Sequence, residues 1–152
     1  PIVAALVAPA LGRTFAATAG GGATLDGRRL LASPRDRLDG AHFASSRRYA
    51  REPGEAAGDV RYVPSLAYRL ALVAAGEVDV AIARAGARDW DLAAADLLVH
   101  EAGARLGDLA GRVLRYNRAE TAHPPLVAAP PALFDAAAAL VRRVDARPDG
   151  VR

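Results

Sequence analysis

Arg88-Asp89-Trp90-Asp91-Leu92-Ala93-Ala94-Ala95-Asp96-Leu97-Leu98-Val99-His100-Glu101-Ala102-Gly103 is the stretch whose reading decides the fold. Leu92, Ala95, Val99 and Ala102 recur at helical spacing, which predicts a helix with one apolar face. Asp91 stands where an N-cap or first-turn acid belongs, and Gly103 where a left-handed stop belongs. Exposed N–H groups and the helix dipole favour negative charge at such a mouth. The same place suits a phosphate or a metal–phosphate pair. On pattern alone, Asp91 reads equally as a simple helix cap and as a ligand.

Composition sets the frame around that helix. The 152 residues suffice for one domain with its own core. Apolar residues make up 52% and aromatics 5%, so the core is expected to be built from small aliphatic side chains. There is no cysteine, which excludes disulfides and thiolate metal sites. All 20 basic residues are arginine, and they are scattered among acids without a block of like charge. A net charge of +3 permits attraction to phosphorylated ligands, but the scatter argues against a nucleic-acid polymer as partner. No apolar run reaches the roughly 20 residues of a membrane span, and no signal-peptide pattern is visible, so neither a membrane nor export is expected and a cytoplasmic location is the default. The chain opens directly on the apolar run Ile2 to Val7, as if inside a core, and is expected to be a C-terminal portion of something larger.

Outward from the helix, the chain reads as alternating strands and helices. Residues 1–32 form a meander: strands at Ile2–Ala8 and Arg13–Ala19, a triple-glycine break at Gly20–Gly22, a third strand from Ala23, and an Asp26-Gly27 turn. The triple glycine reads as a loose hairpin or, less readily, as a phosphate cradle. Residues 33–59 read as a connecting segment, with a short strand at His42–Ala44 and a surface helix or loop from Arg47 to Gly58; His42 reads as structural or exposed. Residues 60–146 read as an α/β domain. It comprises a strand at Val60–Val63, a helix capped by Ser65 with Leu66, Leu70, Val73 and Ala74 inward, and a strand at Val78–Ile82. After the central helix come a strand, a Gly107–Gly111 turn with a second strand to Tyr116, a strand at Leu126–Ala129, and a last helix from Pro131. Residues 147–152 read as a tail. Such alternation argues for a mixed sheet with helices on its faces.

Three segments resemble the inositol monophosphatase superfamily, magnesium-dependent phosphomonoesterases of inositol phosphates, sugar phosphates and 3'-phosphoadenosine nucleotides. The first is the hairpin with Phe15, Ala17, Gly20, Gly22, Ala23, Asp26 and Gly27, where Asp26 replaces the usual Asn. The second runs from Ser65 to Asp79, with Pro64 replacing the usual Gly. The third is the Trp90–Gly103 unit. The resemblance implies a layered α/β sandwich, the C-terminal portion of an αβαβα fold. It implies that residues 1–32 complete an N-terminal metal-binding domain and that Mg2+ is the cofactor.

The resemblance also assigns residues. Asp91 becomes the metal ligand and catalytic carboxylate facing the leaving-group oxygen. Glu101 is read as structural, Trp90 as a packing anchor, and Asp96 as solvent-facing or paired with an arginine. Inositol-specific members carry a Glu seven residues before the ligand Asp; this chain has Arg84. Arg84-Ala85-Gly86 and Arg69 are similar to features of nucleotidase members, so Ser65, Arg69 and Arg84 become candidate substrate-binding residues. Arginine forks suit a second phosphate; the alternative is that both are surface charge. The family's upstream Glu-Glu and Asp-Pro-Ile/Leu-Asp-Gly-Thr segments do not occur here. The chain by itself is therefore expected not to assemble a complete magnesium site. The expected partner is a small phosphorylated metabolite, a homodimer is an assembly the resemblance allows, and a non-catalytic phosphate- or partner-binding module is the alternative.

Overall fold

The structure is a computed structural model that describes residues 1–45 and 57–146. Four antiparallel strands form the first sheet in the order β1 (Val3–Ala8), β2 (Arg13–Thr18), β3 (Gly22–Leu25), β4 (Arg28–Arg29). The second sheet has the order β6-β5-β7-β9-β8, from β5 (Ala41–Ser45), β6 (Ala57–Tyr62), β7 (Val80–Ala83), β8 (Arg105–Asp108) and β9 (Leu126–Ala129). It is mixed: β5 pairs in parallel with β6 and β7, whereas β9 pairs antiparallel with β7 and β8. Three helices complete the fold, α1 (Leu66–Ala74), α2 (Asp89–Glu101) and α3 (Pro131–Asp145). None is long and apolar enough to cross a membrane.

Helices α1 and α2 pack together and lie between the two sheets. One side of the pair presents Ala71, Ala74, Leu97, Leu98 and Ala102 to Phe15, Ala17 and Ala23 of the first sheet. The other side presents Leu70, Val73, Leu92, Ala95 and Val99 to Ala81, Ala83, Leu106 and Ala128 of the second. The remaining face of the second sheet is covered by α3, through Leu133, Phe134 and Val141 against Phe43, Ile82 and Val127. The layers therefore run sheet, helix pair, sheet, helix. The expected apolar stripe of α2 is fully buried, but Leu97 and Leu98 are buried as well. A helix between two sheets needs a second apolar side, which a single-stripe reading does not anticipate. Each fully buried leucine contributes about 1.5–3 kcal/mol.

The short strand expected at His42–Ala44 is present as β5, which lies between β6 and β7, so segment 33–59 does more than connect. The surface helix or loop at Arg47–Gly58 falls largely outside the described residues, and its last residues belong to β6. No second strand follows the Gly107–Gly111 turn. The Asp108 carboxylate accepts the backbone N–H groups of Ala110 and Arg112, both at 2.9 Å, and so takes over the donors a hairpin ladder would have used. The triple glycine does cradle an anion, but the anion is internal: Gly20 N–H (2.7 Å) and Gly22 N–H (2.8 Å) donate to the two oxygens of Glu101. Both glycines have positive φ (75° and 85°), which a residue with a Cβ adopts only under strain. The contact pins the β2–β3 turn to the C-terminal end of α2. These two N–H bonds hold the Glu101 carboxyl below its ordinary pKa.

Candidate active site

The mouth of α2 is built by a short antiparallel pairing between the loop that enters the helix and residues 121–123. Gly86 N–H donates to His123 O, His123 N–H to Ala87 O, and Asp89 N–H to Thr121 O. Arg88 is the N-cap, and its guanidinium binds Glu120 (2.9 Å) and Thr121 (3.3 Å). The two acids of the first turn then take different work. Asp89 is engaged by structure: one oxygen is 2.7 Å from His123 Nε2 and the other accepts Asn117 N–H at 2.9 Å. The His123 hydrogen bond, followed by that of Asn117, lowers the Asp89 pKa. Asp91, at the third helical position, is exposed and accepts Arg88 N–H through Oδ2 at 3.1 Å. Its Oδ1 has no hydrogen-bond partner among the described residues. Asp91 is thus both a first-turn cap and a carboxylate with one oxygen to offer.

Two of the other three candidates lie together. Arg69 and Arg84 line one groove of about 260 Å³ with Leu66, Ala85, Gly86 and Ala87. Ser65 caps α1, its Oγ accepting Tyr68 N–H at 3.3 Å. Arg69 is buried, and three of its five N–H donors go to backbone: Nε to Val63 O (3.0 Å), one terminal nitrogen to Ile82 O (2.5 Å) and the other to Pro64 O (3.4 Å). That geometry makes it a brace tying α1 to β7 and to the end of β6. Burial lowers its pKa, although arginine stays protonated in proteins. Arg84 is exposed and has no hydrogen-bonded acid among the described residues.

Two readings of the central helix need correction. Trp90 is 73% exposed, so it anchors no packing among the described residues. It occupies the second helical position, off the face that carries Leu92, Ala95 and Val99. Asp96 is buried at 7% exposure rather than solvent-facing, and among the described residues no arginine pairs with it. Tyr116 O–H donates to its Oδ2 at 2.8 Å. His100 Nδ1 lies 2.9 Å from both its backbone carbonyl and its Oδ1, with hydrogen-bond geometry only to the carbonyl. The Asp96 carboxylate raises the His100 pKa. The Asp89–His123–Asn117 clasp was not singled out from the sequence. Its members are 28 and 34 positions apart and form no local pattern.

A model of the family described as "Inositol monophosphatase family" matches residues 1–146. The chain belongs to the inositol monophosphatase family. Among curated relatives, "Nus factor SuhB" of Escherichia coli K12 is 39% identical over 121 residues, covering 72% of this chain and 45% of the relative. "Inositol monophosphatase" of Dictyostelium discoideum is 32% identical over 124 residues, with the same coverages. The chain spans about half the length of these relatives. Of solved structures, Mycobacterium tuberculosis SuhB is 28% identical with TM-score 0.76, over 95% of this chain and 59% of that one. The inositol monophosphatase of Anabaena has TM-score 0.82 at 22% identity, covering 94% and 59%. At that identity the likeness shows the fold, the layered α/β sandwich expected from the sequence.

Proposed function

We propose that this member of the inositol monophosphatase family supplies the helix-mouth portion of a magnesium-dependent phosphomonoesterase site acting on a small phosphorylated metabolite. The observation that supports the reading is the free Oδ1 of Asp91 at the N-terminus of α2. Magnesium takes near-octahedral hard-oxygen coordination, with carboxylates from more than one element when several ions are held. Among the described residues, no three His, Asp or Glu side chains converge. The residues present therefore do not form a complete magnesium site. In this proposal Asp91 contributes one ligand, and the other carboxylates come from outside these 152 residues.

What the chain's own residues do follows from their placement. Asp91 presents a carboxylate at the positive end of a helix. Arg84 offers a guanidinium without a hydrogen-bonded acid among the described residues, in the groove lined by the loop that leads into α2, suited to an anionic group of the substrate. Arg69 keeps that groove rigid rather than reading the phosphate itself. A bisphosphate nucleotide is favoured over an inositol monophosphate because Arg84 stands where inositol-specific members carry Glu.

The test is phosphate release from 3'-phosphoadenosine 5'-phosphate and from inositol 1-phosphate, with and without magnesium, by the longest product of the reading frame containing this chain. Magnesium-dependent release from the nucleotide, weakened by Arg84→Gln, is expected. Preference for inositol phosphate would overturn the substrate assignment, and no release from either would leave another phosphate ester or the non-catalytic reading. The name "Nus factor" on the 39% identical relatives favours a second reading, a partner-binding module without turnover.

A further inference from the structure

A cavity of about 560 Å³ is lined by residues from the end of β8, the segment that follows it and the start of β9, and it shares no lining residue with the Arg69–Arg84 groove. Its charged lining is three arginines, Arg112, Arg115 and Arg118, against one acid, Asp108. Asp108 is already committed to Arg112, whose Nε donates to it at 2.7 Å. Arg115 and Arg118 are exposed and have no hydrogen bond or ion pair to an acid among the described residues. The rest of the lining is largely apolar, with Val113, Pro124 and Leu126. The cavity volume is in the range of small-molecule sites.

We propose that this cavity is a second anion site that takes a small organic phosphate, its phosphate on the Arg115 and Arg118 guanidiniums and its apolar body on Val113 and Pro124. Two arginine forks without a hydrogen-bonded acid among the described residues, Arg118 also feeling the charge of Asp89, match a phosphate's geometry and charge at one concavity. An apolar floor is what a bare phosphate would not need. The site is separate from the Arg84 groove but touches the same scaffold. His123 is among the cavity's lining residues, while its backbone pairs with Gly86 and Ala87 of the other groove. The ring also holds Asp89 at the α2 mouth. A ligand here would therefore stiffen the loop that leads to Asp91.

The experiment is isothermal titration of the 152-residue chain, without magnesium, using adenosine 5'-monophosphate, adenosine and inorganic phosphate as probes. Saturable binding of the nucleotide, at least about tenfold tighter than either adenosine or phosphate, is expected. The double variant Arg115→Gln/Arg118→Gln should lose that binding by about tenfold or more, and Arg84→Gln should leave it unchanged. Both arginines are exposed, so the variant should fold, which an unchanged melting temperature would establish. Binding that survives the double variant, or that Arg84→Gln abolishes, overturns the site. So does an equal response to phosphate and nucleotide. Phosphatase activity plays no part in the readout, so the result stands whether or not turnover is found.

Discussion

Replacing Arg69 by methionine separates a structural brace from a substrate-reading arginine. The variant keeps most of the side chain's apolar volume and removes the guanidinium. Val63 O and Ile82 O, at 3.0 and 2.5 Å, then lose their side-chain donor in a buried setting, while the 3.4 Å contact to Pro64 O counts for little. Stranding a buried acceptor costs about 1–3 kcal/mol, so two such carbonyls give roughly 2–6 kcal/mol. For a domain near this size, 1 kcal/mol shifts the melting temperature by about 2–4 °C, so a fall of roughly 4–24 °C is expected. Arg69→Lys keeps one donor but not the fork and should recover only part of the loss. The assay is thermal and urea unfolding followed by far-ultraviolet circular dichroism. A melting temperature within a degree or two of the unsubstituted chain, with ligand binding lost, would refute the brace and restore Arg69 as a phosphate contact.

Other perturbations test the rest of the scaffold. Leu98→Ala opens a cavity where α2 meets the first sheet and should cost about 3–5 kcal/mol in urea unfolding. Asp96→Asn removes the carboxylate that raises the His100 pKa, so the titration of that ring by nuclear magnetic resonance should move down towards its ordinary value. A raised folded-state pKa means that the His100 contribution is fully present below the ordinary histidine value and fades as pH rises through the folded one. Glu101 has the opposite sign. Its lowered pKa gives a contribution present above the ordinary carboxyl value, which is lost as pH falls through the folded one. Glu101→Gln should correspondingly flatten the acid limb of the stability profile and speed hydrogen exchange at Gly20 and Gly22.

The helices and most strands could be read from local chemistry. Ser65 caps α1, Gly103 ends α2 with φ of 84°, and the stripe of Leu92, Ala95 and Val99 is buried as its spacing requires. What escaped reading depends on distant partners. Asp96 is polar and sits in a helix, so local pattern sends it to solvent; Tyr116, 20 positions on, draws it inside. The glycine loop announces an anion, but only the fold shows that the anion is Glu101, 79 and 81 positions away. Trp90 misleads in the opposite direction, because size alone suggests burial and helix phase decides otherwise. At the candidate site, Asp91 was legible because a helix mouth is a local feature. Arg69 was legible as a position, but the carbonyls that absorb its donors come from β7 and the end of β6.

The most direct test of the site is Asp91→Asn in the longest product of the reading frame, measured for magnesium-dependent phosphate release alongside thermal unfolding. Asparagine keeps an oxygen that can accept Arg88 N–H, so the fold should be retained. The proposal requires nearly complete loss of turnover with an unchanged melting temperature. Normal turnover in that variant would contradict Asp91 as the metal-binding carboxylate.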